Sequence, residues 1–174
     1  MKARKLSVAA AVCVMAVLLM SCEPAGSLSG GSGRANDYQV ARQALETGNY
    51  TLAVQRYRRL VTQTGDAAGR LHLEYAHSLL RAGRFDEAID AASGIISGNS
   101  GSLAANARAV RGTARHQQAR DLLAQGQRGE VTRTLLREAQ ADLGEFLRSH
   151  AQLDAAGAMA ARAQMIAVDL REAG

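Results

Sequence analysis

The side chains that could do chemistry in this chain are few, and their spacing suits none of the common reactions. The histidines are His72, His77, His116 and His150. No two share the i, i+4 spacing of a helical metal site, and His72 and His77, five apart, point to different faces of a helix. Serine, histidine and aspartate all occur, yet there is no nucleophile-elbow sequence and no acid pair on a rigid frame. Glycines stand singly at turns or gather in a stretch near the N-terminus, so no loop is built to cradle phosphate. The chain is therefore read as a non-enzyme with no cofactor and no metal.

The two cysteines belong to an N-terminal targeting segment rather than to a site. Lys2, Arg4 and Lys5 form a basic start, and Leu6 to Met20 is an apolar run of 15 residues. That is short of the roughly 20 residues a bilayer-spanning helix needs. Cys13 lies inside this run, and Leu19-Met20-Ser21-Cys22 follows at its end. This order resembles a bacterial lipoprotein signal, with an aliphatic residue, a small residue and then the cysteine. The resemblance implies that residues 1–21 are removed and that Cys22 becomes the acylated N-terminus, a multi-chain anchor to the membrane. Glu23 at the next position, by the same resemblance, favours the outer membrane.

Removing that segment changes the charge. The full chain carries +5, but without Lys2, Arg4 and Lys5 it has 18 basic against 16 acidic side chains, near +2. Nothing in that balance suggests a nucleic-acid binder. Residues 22–36, from the cysteine through a Gly/Ser-rich stretch, read as a flexible tether that cannot bury a core.

From about residue 37 the pattern becomes helical, in an Ala, Leu, Arg and Glu-rich composition with 3% aromatics and one proline. Three turns organise it, at Gly48, Gly83 and Gly126, 35 and then 43 residues apart. Each ends one amphipathic helix and starts another. Asp66 is placed as the N-cap of the helix before Gly83. The third hairpin pairs a long helix, about Ser102 to Gln125, with Glu130 to Ser149, whose apolar face is Val131, Leu135, Ala139, Leu143, Phe146 and Leu147. Its eight extra residues are close to two helical turns, which would preserve the buried face. A last helix, about Ala155 to Glu172, is capped by Asp154 and aligns Met159, Ala163, Ile166 and Leu170. It either closes the core or offers that face to a partner or a second copy.

Val40, Ala41, Ala44, Gly48, Tyr50, Ala53 and Tyr57 in the first hairpin, and Tyr75, Ala76, Leu79, Gly83, Phe85, Ala88 and Ala92 in the second, resemble the tetratricopeptide repeat family. Alanines let helices approach, and the aromatic fills the wedge between them. Asp37 and His72 depart from the family, standing where a large residue is usual. The resemblance implies an all-α, right-handed solenoid of about three hairpins and a capping helix over residues 37–174. It also implies a concave groove lined by the first helix of each hairpin. By repeat position the groove residues are Tyr38, Arg42, Leu45 and Glu46, then Arg70, Leu73, His77, Leu80 and Arg81. The third register stays open between Arg108, Arg115 and His116, and His116, Arg120 and Leu123. Such an arginine-rich face suits an acidic or C-terminal segment of a protein.

The expected function is a periplasm-facing, lipid-anchored adaptor for an envelope protein, similar to the repeat lipoproteins of tight-adherence pilus assembly or outer-membrane protein insertion. A structural subunit of an outer-membrane assembly, or an accessory factor for cell-wall enzymes, are the alternatives. Self-association would use the C-terminal helix. Any specificity of its own is expected beside the densest arginines, Arg108, Arg111, Arg115 and Arg120.

Overall fold

Gly48, Gly83 and Gly126 take φ of 82°, 72° and 76°, the left-handed conformation that glycine adopts without strain. At the second and third of these turns the residue after glycine reaches back: Arg84 N–H donates to the Leu79 carbonyl at 3.0 Å, and Gln127 N–H to that of Leu122 at 2.9 Å. Those bonds satisfy carbonyls that a helix end would otherwise leave open. At the first turn the following helix is held instead, by Asn49 Oδ1 accepting from Leu52 N–H at 3.2 Å.

In this computed structural model residues 29–65 and 68–174 are described, with side chains from residue 33 onward. Cys22, the signal segment and Asp66 lie outside them. The elements are α1 (Ser29–Glu46), α2 (Tyr50–Thr64), α3 (Gly69–Arg81), α4 (Phe85–Gly98), α5 (Gly101–Ala124), α6 (Glu130–His150), a 3₁₀ turn (Ala151–Leu153) and α7 (Ala158–Glu172). Among the described residues the fold is all-helical. The chain divides into two units, Met1–Gly33 and Arg34–Gly174, and the second holds the packing that follows.

Within that unit each helix from α2 onward packs on its neighbours in sequence, and α3 on α5 and α5 on α7 as well. Four apolar clusters run along the stack. Ala41, Ala44, Ala53, Tyr57 and Leu60 join α1 to α2. Val54, Leu79, Ala88 and Ala114 link α2 through α5, as Ala76, Ala92, Ile95 and Ala107 link α3, α4 and α5. Leu123, Leu136, Ala139, Leu143 and Ile166 close the C-terminal end. Tyr57 is fully buried and meets Tyr38 edge-on, with ring centroids 6.3 Å apart.

The two departures at Asp37 and His72 have local partners. Asp37 takes the place of a large apolar residue by accepting from Arg56 Nη1 at 2.7 Å. His72 Nε2 lies 3.1 Å from the Gly65 carbonyl, tying α3 to the end of α2.

Four expectations are corrected. Of the tether expected over residues 22–36, the part from Ser29 onward is helical in α1, and the part before it lies outside the described residues. Propagation adds one hydrogen bond per residue once 37–46 is held by packing, which offsets the poor helix propensity of Gly and Ser. In α6 the buried position is Thr132 rather than Val131, which is 69% exposed. Thr132 buries its hydroxyl because that group donates to the Gln127 carbonyl at 2.8 Å, inside the preceding turn. Asp154 does cap α7, accepting from Met159 and Ala160 N–H at 3.0 and 2.9 Å, but the helix starts later, after Gly157. Finally, the face of Met159, Ala163, Ile166 and Leu170 packs on α5 and α6. Ile166 is fully buried there, while Met159 also borders an open cavity described below.

Candidate functional site

The first helices of successive pairs, α3 and α5, together with α7, share one side, and there they line an open cavity of about 1050 Å³. α3 contributes Arg70, Leu73, His77, Leu80 and Arg81. These are the five positions expected there, with Glu74 a sixth on the same wall; the five keep the spacing of one helical face counted back from Gly83. Arg70 is 84% exposed and lies 3.5 Å from Glu74. Arg81 donates to the Tyr50 hydroxyl and lies over that ring, 5.0 Å from its centroid. His77 keeps an exposed edge, yet the protein crowding it, and then the charge of Arg81, hold its pKa below the ordinary range.

α5 contributes Ser102, Leu103, Asn106, Ala109, Val110, Thr113 and Gln117. Neither expected register gave this set. The groove side of α5 repeats that of α3 at an offset of 33 residues, with Asn106 matching Leu73 and Val110 matching His77. Gly126 follows Gly83 by 43 residues, ten more than that offset, and ten residues turn a helix about 80° short of three full turns, so counting back from Gly126 lands on another face.

The expected arginines of α5 consequently lie elsewhere. Arg115 is only 15% exposed and pairs with Glu138 at 3.0 Å and Asp142 at 2.5 Å. It faces its hairpin mate, as does Arg111, and Arg108 is half-buried and absent from the cavity wall. Two of the four arginines in the densest run, Arg111 and Arg115, thus serve the α5–α6 crossing. His116 is fully buried, with Nε2 at 2.7 Å from Asp169 Oδ2 and Nδ1 at 3.1 Å from Arg162 Nη1. Burial lowers its pKa against the opposing pull of Asp169.

The first-helix candidates stand apart from the large cavity. Tyr38 donates its hydroxyl to Glu74 at 3.0 Å and lines a separate hollow of about 400 Å³ with Gly69 and Leu71. Arg42 is exposed and bonds within its own helix to Glu46 at 3.0 Å.

α7 adds Met159 and Arg162 to the cavity; sequence reasoning placed Met159 on the face of the last helix but not in the groove, and it missed Arg162. Helical spacing could have found them, since 159, 162 and 166 share a side, but nothing local says that α7 reaches back across α5. Among the described residues no group of three or more His, Cys, Asp or Glu side chains is arranged to hold a metal ion. No described helix is long and apolar enough to cross a membrane.

Comparison with protein-family models, curated proteins and solved structures finds no match to the chain.

Proposed function

We propose that this chain is a lipid-anchored adaptor of the bacterial envelope, a short solenoid of tetratricopeptide type that binds an extended protein segment in the α3–α5–α7 cavity. The observation that carries this reading is the composition of that cavity. Arg70, Arg81 and Arg162 line it against a single carboxylate, Glu74, with Leu73, Leu80, Phe85, Leu103 and Val110 between them. Glu74 already accepts from Tyr38 and from Tyr57, at 3.0 and 2.8 Å. Apolar walls with surplus arginine suit a peptide that carries both apolar and acidic groups.

Hairpins closed by left-handed glycines, with α3 on α5 and α5 on α7, support the solenoid. The Leu19-Met20-Ser21-Cys22 sequence supports the anchor, facing the periplasm and by preference at the outer membrane. The role best fitting such an adaptor is assembly of an envelope structure such as a tight-adherence pilus.

Two experiments test this. Cys22→Ala should move the protein from the membrane to the soluble fraction, and retention in the membrane would sink the anchor. Paired reversal, Arg70→Glu with Arg81→Glu, should abolish crosslinking to envelope proteins while leaving helicity intact; unchanged crosslinking would remove the cavity from the proposal.

A second reading, self-association through the C-terminal helix, has Met165 and Val168 in its favour, 41% and 52% exposed on the outer side of α7. Val168→Lys would then convert a sedimenting dimer to monomer. A monomeric parent protein would dismiss it.

A further inference from the structure

We propose that Arg162 is the anion-reading residue of the α3–α5–α7 cavity, seating a carboxylate of the bound peptide. This rests on the adaptor reading above and adds the residue and the chemical group it selects.

Three shielded arginines at helix contacts have carboxylate partners: Arg56 has Asp37, and Arg111 and Arg115 have Asp142. Arg162 does not. Among the described residues its one bonding partner is His116 Nδ1, at 3.1 Å, and its Nε is buried with no acceptor. Asp169, on the same helix, is engaged by the far side of that imidazole. A guanidinium can only donate, so His116 must accept at Nδ1 and keep its proton on Nε2, where it donates to Asp169. The imidazole is then neutral, and it orients Arg162 without cancelling its charge. A half-buried cation without a counter-ion is costly, and a bound anion removes that cost.

The surroundings say which anion. Arg162 stands on the cavity wall with Gln117, Thr113 and Met159, across from the apolar side chains of α3. Asn106, on the same wall, donates its amide to the Ser102 carbonyl, a bond that leaves its Oδ1 as an acceptor. Amides at Asn106 and Gln117 match the needs of a peptide backbone, whereas the alkyl chain of a fatty acid has nothing to offer them. The carboxylate itself can be a side chain or a chain terminus.

The test is affinity selection on the full chain in detergent, using random hexapeptide mixtures of three kinds. One carries Asp and Glu with an amidated end, one carries Asn and Gln with a free carboxylate, and one is uncharged throughout; oleate is run beside them. The wild-type chain should retain one or both acidic mixtures about tenfold over the uncharged one, the mixture retained naming the source. Arg162→Gln, whose amide can still donate to His116, should lose that preference with its melting temperature unchanged or raised. Arg162→Lys, which keeps the charge but not the planar fork, should retain only part of it.

If Arg162→Gln keeps the preference while Arg70→Glu with Arg81→Glu abolishes retention, the adaptor reading stands and this proposal fails. A large fall in melting temperature in both Arg162 variants would make the residue a structural support and equally overturn it. Retention of oleate and of no peptide would overturn both the peptide and the adaptor cavity.

Discussion

Arg111 grips Asp142 with two parallel bonds, 2.9 Å from Nε and 2.6 Å from Nη2, across the α5–α6 hairpin. Asp142 is 5% exposed and also accepts from Arg115 at 2.5 Å, while Arg111 extends a further bond to Ser93 on α4 at 3.1 Å. The bidentate geometry raises the guanidinium's pKa, chiefly through its bond to Asp142. One carboxylate thus ties together the longest hairpin and fastens it to the helix before it.

Asp142→Asn should therefore destabilise the protein by about 3–5 kcal/mol, because Arg111 would lose its bidentate carboxylate and Arg115 would be left with Glu138 alone. Urea denaturation followed by circular dichroism measures this. The triple variant Asp142→Leu, Arg111→Met, Arg115→Met should recover most of the loss. If the single variant costs under about 1 kcal/mol, the cluster is no more than a solvated surface network.

Gly112 lies under the same cluster. A Cβ there would stand 3.0 Å from Asp142 Cβ and 3.0 Å from Leu143 Cδ2. Neither neighbour can yield easily, since Asp142 is pinned by its bonds and Leu143 is fully buried. Gly112→Ala should cost about 1–3 kcal/mol. Gly94, inside α4, has nothing within 4 Å of its virtual Cβ, so Gly94→Ala should stabilise by roughly 0.5–1 kcal/mol. Thermal melts of the two variants should move in opposite directions.

Protonation of His116 supplies a pH dependence. Burial, with the charges of Arg162 and Arg120, holds its folded-state pKa below the ordinary value, and Asp169 opposes them. The unfolded chain then binds more protons between that lowered pKa and about 6.5, so stability rises with pH in this window and is lost as pH falls through it. His77 acts in the same direction. Replacing His116 by Gln should flatten the dependence of unfolding free energy on pH below about 6.5. An equally steep curve in the variant would assign the effect to His77 or to carboxylates.

Tyr57 donates to Glu74 from a fully buried ring. Burial, reinforced by that bond, raises its pKa, so the hydroxyl stays a donor throughout the working range. Tyr57→Phe should cost about 1.5–3 kcal/mol, the contribution of a hydrogen bond to a charged acceptor. The loss should be the same at pH 7 and pH 9, as guanidinium denaturation at each would show.

The helices, their order and the three turns were legible because their causes are local. Gly48, Gly83 and Gly126 mark helix ends, and the small and aromatic residues between them repeat at helical spacing. Five of the six α3 residues of the cavity were legible for the same reason, all but Glu74. The α5 face was not, because a helix lengthened by a non-integral number of turns rotates its far half away from any register counted from a turn. Arg115 read as a groove residue, and Arg111 as part of a specificity-bearing run, for want of knowledge that Asp142, 31 residues from Arg111, would lie opposite. Nor does the sequence pair His116 with Asp169, 53 residues away, or set Arg162 beside it. Sequence alone determined that this chain folds into helical hairpins with glycine corners, since backbone conformation and apolar periodicity act over a few residues. Tertiary packing decided which charges are neutralised and which remain open to a ligand, because a guanidinium's partner is whatever carboxylate the fold brings within a few ångströms.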